Sequence, residues 1–393
     1  MEITNIGVGF VNTGAIIIAL LLFFVGEIKG QCPHFLSGSK LGVVQNRLLD
    51  EISGIAASRK NTDVLWAHND SGSKAQVWAF NIQGTHLGTY TLTDADNNDW
   101  EDMAIGPGPS SKTDYLYIGD LGNNDGLTER TYNIYRVAEP KVNASQQALN
   151  ININDIDILP VKYPHQFRHD CETLLVDPLN SDIYLCTRDR WNDDRGMMKV
   201  YRYPASQQTP GVVFTLQHVK DVQLTTLAEN KRFNWEMASG GDISSDGSFV
   251  IIRTRPKRKG MPQGILVWQR RTGTDFWDSF GHPPCVAPSL WEPQGEAICF
   301  DANGSGYYTV SEGCCQPIYY FAGNGHGSAL QDDLEINCNA AFAGWQQQQH
   351  YCSEHGVHSA GITGAGSNWI INLNDLGLLA DNWFWAKYNR DDS

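Results

Sequence analysis

The feature that most constrains the fold is an internal repeat between residues 41 and 323. Five segments share one layout, in which short runs of β-branched and aromatic residues alternate with Gly, Asn, Asp and Pro. The first runs of the five segments begin at Ser53, Glu101, Glu172, Gly241 and Glu296. Short antiparallel strands that are grouped in fours and repeated at this spacing are the signature of a β-propeller. The sequence therefore predicts an all-β propeller with five four-stranded blades.

The number of blades is open to alternatives because two of the five segments have a poorly marked or missing fourth strand. The fourth segment has only a faint last strand near Phe276, and the fifth has no fourth strand after Phe321. Residues 41–45 can supply the missing strand from the N-terminal side and close the ring. A sixth unit could lie in residues 325–372, a stretch rich in Gly, Gln and Ser. Two β-sandwich domains would explain the short strands, but not the acidic residue that recurs where the repeats begin.

An apolar run at residues 15–25, AIIIALLLFFV, precedes the repeats. It is too short to span a bilayer but matches the hydrophobic region of a signal peptide. We expect residues 1–30 to be that signal peptide, with no stable membrane anchor left; an uncleaved anchor is the alternative. Glycosylation sequons at Asn69, Asn143 and Asn303 agree with export. The predicted location is secreted and extracellular.

The predicted extracellular location determines how the cysteines are expected to bond. All nine lie after residue 31, so an oxidising compartment allows up to four disulfide bonds and one odd thiol. The neighbours Cys314 and Cys315 cannot easily bond to each other, and we expect each to pair elsewhere. The absence of any Cys-x-x-Cys pair from the sequence disfavours a structural zinc site.

The charge of the chain restricts its partners. The formal net charge is −15, so a broad basic face for nucleic acid is not expected, and cations or basic partners are favoured. The sequence contains no G-x-S-x-G, H-E-x-x-H, P-loop or dinucleotide-binding motif. No familiar catalytic motif therefore identifies an enzyme, and whether the protein is one stays open.

Three of the repeats begin with glutamate, namely Glu101, Glu172 and Glu296. The innermost strand of each blade lines the central channel, so equivalent residues converge on one mouth. Crowded carboxylates stay ionised only when a cation compensates their charge, and oxygen ligands without His or Cys select a hard cation. The sequence predicts a Ca²⁺ ion held by these three residues. Alternatively, the glutamates accept backbone N–H groups and tie the blades together.

The loops between second and third strands return to the same mouth. We expect ligand contacts from Asn69, Asp120, Arg188 and Arg253. The third and fourth loops form a basic sector, since residues 253–260 and 188–195 are rich in Arg and Lys. Arginine forks suit phosphate, sulfate or carboxylate, although a solvated hairpin tip explains the same charges. Candidate catalytic bases are Glu312, Asp120 and His169.

Residues 324–393 differ from the repeats. They are rich in Gly and Gln and contain Cys338 and Cys352, which indicates a C-terminal extension tied by disulfides. Residues 372–385 have apolar side chains at helical spacing, which predicts a short helix there.

Three motifs carry a family resemblance: DWEDMA at 99–104, YLYIGDLGNN at 115–124 and YRVAEP at 135–140. Together they make residues 48–322 resemble secreted propellers of the phytase-like, NHL and gluconolactonase types, a loosely characterised group. In such proteins, glutamates that begin the inner strands hold a channel Ca²⁺, which implies this role for Glu101, Glu172 and Glu296. Asp94 and Asp96 are similar to the acidic opening of phytase propellers. A five-bladed ring with a channel Ca²⁺ is also compatible with a calcium-activated nucleotidase.

Two functions follow from these patterns. The first is a secreted calcium-binding propeller that binds a small anionic ligand, an extracellular protein or a matrix component. The second is a Ca²⁺-dependent hydrolase of a phosphate ester, phosphoanhydride or lactone, in which the cation polarises a substrate oxygen. The missing nucleophile motif favours the binding function.

Overall fold

The computed structural model describes residues 32–123, 131–166, 169–188, 196–227, 235–256 and 263–323, together with two strands at Glu335–Ile336 and Trp369–Ile370. The chain divides into two units, residues 1–323 and 324–393. The predicted signal peptide, the predicted helix at 372–385, and Cys338 and Cys352 lie outside the described residues. Within the described residues, no helix is both long enough and apolar enough to cross a bilayer.

The first unit is a five-bladed β-propeller, as the repeat predicts. The strands are β1 (Ser39–Val43), β2 (Ile52–Ala57), β3 (Val64–Asn69), β4 (Gln76–Asn81), β5 (His86–Leu92), β6 (Trp100–Pro107), β7 (Asp114–Asp120), β8 (Tyr132–Ala138), β9 (Leu149–Ile153), β10 (Asp157–Lys162), β11 (Cys171–Val176), β12 (Ile183–Thr187), β13 (Met197–Tyr203), β14 (Phe214–Thr215), β15 (Gln217–Gln223), β16 (Trp235–Ile243), β17 (Phe249–Pro256), β18 (Gly264–Gln269), β19 (Cys285–Ala287), β20 (Gly295–Phe300), β21 (Gly306–Ser311) and β22 (Pro317–Ala322). In the second unit, β23 (Glu335–Ile336) and β24 (Trp369–Ile370) pair antiparallel.

From the channel outward, the blades are β2-β3-β4-β5, β6-β7-β8-β10, β11-β12-β13-β15, β16-β17-β18-β19 and β20-β21-β22-β1. We number them blades 1 to 5. The inner strands contact one another in this order, and β20 of blade 5 returns to β2 of blade 1. This closed ring excludes two β-sandwich domains.

The N-terminal part of the unit closes the ring. Strand β1 pairs antiparallel with β22, so it supplies the fourth strand of blade 5, as residues 41–45 predict. A disulfide bond joins Cys32 to Cys285 of β19 and ties the same N-terminal part to blade 4. The last blade is thus built from both ends of the repeat region, and β1 covers the outer edge of β22.

Outer strands are shared between blades in a way that the repeat pattern does not predict. The long run near 151–159 divides into β9, which pairs parallel with β5 of blade 1, and β10, which stays in blade 2. In the same way β14 pairs parallel with β10, while β15 stays in blade 3. Each added strand covers the outer edge of the preceding blade, where unpaired backbone groups would otherwise face solvent.

The predicted fourth strand of blade 4 near Phe276 is wrong. Residues Phe276–Gly281 form a 3₁₀ helix, and the strand follows at β19. The reason is packing against blade 3, because Phe276 and Phe280 are both buried and Phe276 stacks against Tyr184 with ring centroids 4.3 Å apart. The other short helices are Pro164–Gln166, Ala205–Gln207 and the α-helix Leu224–Leu227.

The apolar core lies between blades. One cluster of buried side chains fills each interface between neighbouring blades, and the cluster between blades 1 and 2 includes Trp66, Tyr90 and Trp100. Aromatic residues suit this role because a single side chain spans the gap between two twisted sheets. The repeated aromatics of the sequence therefore hold the ring together around its central channel.

A candidate cation site at the mouth of the propeller

A β-bulge recurs at one position of every inner strand. The pairing with the second strand skips Ser53, Glu101, Glu172, Ser239 and Glu296 at equivalent positions of the five blades, and blade 4 has a further shift at Glu236. A bulge takes its extra residue out of the ladder and redirects its side chain. The sequence alignment places Gly241 here in blade 4, but the register shows that Ser239 is the equivalent residue.

The bulges also fix the residues that follow the second strands. The backbone N–H of Asp70, Leu121, Arg188 and Glu312 donates to the carbonyl oxygen two residues before the bulge, at 2.7–3.1 Å. Arg255 occupies the same position in blade 4, where it pairs with Met237. The mouth therefore carries two rings of equivalent residues, one from the bulges and one from these loops.

Glu101 and Glu172 come together at this mouth with three aspartates. Two groups of carboxylates form, Asp70–Asp99–Glu101 and Glu101–Asp170–Glu172, and within each group the candidate ligand oxygens lie within 4.8 Å of one another. Glu101 belongs to both. Except for Asp70, which is partly exposed, these side chains are buried. We call the five residues the acidic cluster.

Arg188 compensates part of the charge of the second group. Arg188 donates to Asp170 from Nε at 3.2 Å and from a terminal nitrogen at 2.9 Å, and it also forms an ion pair with Glu172. Its guanidinium is 3% exposed, so this pairing takes place out of water. The group of Glu101, Asp170 and Glu172 thus contains its own cation.

Burial and crowding disfavour the ionised form of the cluster. Burial raises the pKa of Glu101 well above its ordinary value, and the neighbouring charge of Glu172 raises it further. Burial likewise raises the pKa values of Glu172 and Asp70. Oε1 of Glu101 is buried and has no hydrogen-bond partner among the described residues. A cation next to this oxygen would remove both penalties.

Gly122 provides the space beside this oxygen. A Cβ atom built on Gly122 would overlap Oε1 of Glu101 and Oδ2 of Asp99. The loop also orients Asp99, because its carbonyl accepts the N–H groups of Leu121 and Gly122, each at 3.1 Å. Only a residue without a side chain leaves room between the two carboxylates.

Glu296 belongs to neither of the two carboxylate groups. It forms an ion pair with Arg255, which also lies 3.7 Å from Glu312. The hydroxyl of Ser53 is within hydrogen-bond distance of Oε2 of Glu296, at 3.3 Å, and of the backbone carbonyl of Glu101. The structure therefore groups two of the three predicted metal ligands and places the third with an arginine.

The blade-tying role that the sequence allows for the glutamates is carried by Asp102, the residue after Glu101. Its carboxylate is fully buried and accepts N–H groups from Met103 at 2.8 Å, Leu174 at 2.9 Å and Gly241 at 3.3 Å. These donors belong to blades 2, 3 and 4. Because Asp102 links the blades, Glu101 is not needed for that purpose.

Two of the predicted ligand-binding residues, Asn69 and Asp120, form hydrogen bonds with neighbouring groups of the protein at the mouth. Asn69 donates from Nδ2 to the carbonyl of Leu48 at 2.6 Å. Asp120 accepts the N–H of Asp99 at 2.8 Å and Nδ2 of Asn98 at 2.7 Å, so it positions the acidic cluster.

Arg253 and His169 are buried away from open solvent. Arg253 is 1% exposed; it pairs with Glu292 and donates to Gln263 and, at 2.9 Å, to the carbonyl of Ala297. His169 lies among tyrosines, with Nε2 2.8 Å from the hydroxyl of Tyr201. Arg255, rather than Arg253, is the blade 4 arginine at the mouth.

Asp70, Asp99, Asp170 and Ser239 are not among the site residues predicted from the sequence, and Arg255 is predicted only as part of the basic sector 253–260. A signal for two of them is present, because the tripeptides Asp99-Trp100-Glu101 and Asp170-Cys171-Glu172 place an aspartate at the same distance before each glutamate. No comparable signal marks Ser239 or Arg255, whose place depends on the bulge register.

Comparisons with known proteins do not assign the chain to a family. No family model matches the chain, and a search of curated proteins finds no similar sequence. The function is therefore inferred from the geometry of the mouth.

Proposed function

We propose that this chain is a secreted, calcium-binding β-propeller that recognises an extracellular ligand at its mouth. The observation that carries the proposal is the buried carboxylate of Glu101, which is shared by two acidic groups and has an unpartnered oxygen. A buried carboxylate without compensation is costly, and oxygen ligands alone favour a hard cation. Calcium is the abundant hard cation outside cells that tolerates irregular oxygen geometry.

The cation is proposed to lie between Asp70, Asp99 and Glu101. The adjacent group is less suitable, because Arg188 already supplies positive charge to Asp170 and Glu172. Gly122 leaves space on the side that Asp99 and Glu101 share. Glu172 would then lie next to the ion without being a main ligand, and Glu296 would be paired with Arg255.

The extracellular location has separate support. The disulfide bond Cys32–Cys285 is of the kind that persists in oxidising compartments. The apolar run at 15–25 and the sequons point to the same route of export. Outside the cell, calcium is also available to a site of modest affinity.

The charges at the mouth favour ligand binding through the cation. Acidic side chains predominate among the described residues there: Asp70, Asp99, Glu101, Asp170, Glu172, Glu296 and Glu312 lie with Arg188 and Arg255. Both arginines form ion pairs with glutamates. An anionic group of a small ligand, protein or matrix component would therefore bind by completing the coordination of the calcium ion.

Thermal unfolding with calcium, magnesium or a chelator tests the cation site. Calcium at a hundredfold excess over its Kd should stabilise the fold by about 2.7 kcal/mol, because it binds only the folded chain. Glu101→Gln should abolish this response, whereas Asp221→Asn, which changes an exposed acid on β15, should retain it. An unchanged unfolding temperature with calcium and with chelator would refute the proposal.

A second function, a calcium-dependent hydrolase similar to the phytase-like propellers, is favoured by Glu312. Burial raises the pKa of this carboxyl, which lies 3.7 Å from Arg255 at the same mouth, as a general base requires. Turnover of phosphate esters, phosphoanhydrides or lactones that needs calcium and is lost in Glu312→Gln, with calcium stabilisation unchanged, would establish the enzyme. If none of these substrates is turned over, the enzyme function is contradicted and the binding function stands.

A further inference from the structure

The loop between β21 and β22 carries two adjacent cysteines at the edge of the mouth. The sulfur atoms of Cys314 and Cys315 lie 2.7 Å apart, and both residues are exposed. The expectation that each pairs elsewhere finds no partner among the described cysteines. The remaining ones either form the Cys32–Cys285 bond or are buried in the blades, as are Cys171, Cys186 and Cys299.

The backbone on both sides holds these sulfur atoms together. The N–H of Gly313 donates to the carbonyl of Asp50 at 2.7 Å, and the carbonyl of Gln316 accepts the N–H of Val44 at 3.0 Å. Gly313 and Cys315 have positive φ angles, 107° and 60°, so the chain turns sharply around Cys314. The two thiols are thus fixed at the tip of an anchored turn and directed toward each other.

We propose that Cys314 and Cys315 are a reversible oxidation site, which closes to a disulfide within the turn. One thiolate attacks a sulfur of a small disulfide oxidant such as oxidised glutathione, and one glutathione thiolate leaves. The neighbouring thiolate then attacks the mixed disulfide and releases the second glutathione. Two S–H bonds of the protein and the S–S bond of the oxidant are lost, and one S–S bond forms within the turn. The two protons and two electrons end on the two glutathione molecules, which leave as thiols.

Closure would act on the mouth because Glu312 is only two residues from Cys314. The N–H of Glu312 donates to the carbonyl of Gln294, and its carboxylate contacts Gln294 and Arg255. The covalent ring would limit the movement of the loop that presents this carboxylate. The proposal does not depend on the calcium site, which lies in blades 1 and 2.

Mass spectrometry of the full chain tests the pairing. The protein is treated with oxidised glutathione or with a reductant, alkylated while folded, and digested. After oxidation, the peptide that contains both cysteines should be unalkylated and lighter by two hydrogens, and after reduction it should carry two alkyl groups. Alkylation of both residues after oxidation, or a cross-linked peptide that joins either one to Cys338 or Cys352, would overturn the proposal.

A dithiol probe supplies a second measurement. Phenylarsine oxide bridges two thiolates that lie close together, so the reduced protein should bind one equivalent. Cys314→Ser and Cys315→Ser should each bind none, and after oxidation each should carry a glutathione adduct on the remaining cysteine. Cys299→Ser is the matched control, since its buried thiol should not affect the probe. Equal arsenical binding by the wild type and both single variants would contradict a paired site.

Discussion

Gly122 lies so close to Glu101 that a Cβ atom at position 122 would overlap Oε1 of the glutamate. In Gly122→Ala, the added methyl group would occupy the space between Glu101 and Asp99 where we place the cation. We expect the variant to lose most of its stabilisation by calcium, measured as the shift in unfolding temperature between calcium and chelator.

The matched control is Gly281→Ala. The only atom near a Cβ at position 281 is the side-chain nitrogen of Lys220, at 3.6 Å, which is an ordinary contact. This variant should keep the full calcium response while reporting any general effect of replacing glycine by alanine. A normal response in Gly122→Ala would show that the ion, if bound, lies elsewhere.

The proposed calcium binding should depend on pH because of the acidic cluster. Burial raises the folded-state pKa values of Glu101 and Glu172 above the ordinary value of 4.5, so the folded protein keeps protons that the unfolded chain has lost. Without a cation, the stability contributed by these groups is present at low pH and is lost as the pH rises above 4.5 toward the folded-state pKa values. Calcium should oppose this loss by replacing the protons.

Urea unfolding at several pH values between 5 and 8, with calcium and with chelator, measures this effect. The stabilisation by calcium should grow with pH, and the apparent affinity should rise by up to about tenfold per pH unit for each proton displaced. In Glu101→Gln, the cation-free decline should be weaker and the calcium effect absent. A stabilisation that falls with rising pH would contradict a carboxylate site.

The number of blades and most of their strands could be predicted from the sequence, because the sequence patterns that mark strands and turns are local. Alternating strands and turn residues mark each blade, and residues 41–45 are identified by the strand that blade 5 lacks. The sharing of β9 and β14 could not be predicted, since a strand's neighbour depends on tertiary packing. The strand predicted near Phe276 is wrong for a related reason, because the ring of Phe276 packs against Tyr184 of blade 3 instead of extending a strand.

The candidate site was predictable to a similar degree. Repeat alignment finds Glu101 and Glu172, and the shared Asp-x-Glu spacing could have added Asp99 and Asp170. Glu296 is not part of this group and instead pairs with Arg255, which lies near the end of β17 in blade 4. Likewise, Ser239 replaces Gly241 only because of the bulge register. Loop geometry and the exact register of each bulge, which the sequence repeat does not specify, decide these contacts.

The three sequons differ in exposure, which predicts where glycans attach. Asn143 and Asn303 are exposed, whereas Asn69 is 3% exposed and its Nδ2 atom donates to the carbonyl of Leu48. A glycan on Asn69 would break this bond and would not fit beside the mouth. We expect the secreted, folded protein to carry glycans at Asn143 and Asn303 only.

Enzymatic deglycosylation of protein from a secretory host, followed by peptide mass spectrometry, checks this pattern. Asn143→Gln and Asn303→Gln should each remove one glycan, and Asn69→Gln should remove none. A glycan on Asn69 of folded protein would contradict the structure at this site. An unmodified protein from a secretory host would count against export through that pathway.

His68 provides a pH dependence at the acid end that does not involve the cation. Its ring is fully buried beside Trp100, with ring centroids 5.5 Å apart, and Nδ1 donates to the carbonyl of Asn69 at 2.9 Å. Burial lowers the pKa of His68 from 6.5 to about 4. Between pH 6.5 and pH 4, His68 is therefore protonated in the unfolded chain but stays neutral in the folded protein. The associated stability is complete above pH 6.5 and falls by about 3 kcal/mol as the pH drops to 4.

A comparison with His68→Gln isolates this contribution, because the amide does not titrate. The difference in unfolding free energy between wild type and variant should shrink by about 3 kcal/mol between pH 7 and pH 4, as only the wild type gains protons on unfolding at this position. Asp102 and Asp242 titrate in both proteins, so their effects cancel in the difference. A constant difference across this range would mean that His68 is protonated in the folded state, and that its burial next to Trp100 does not exclude the charge.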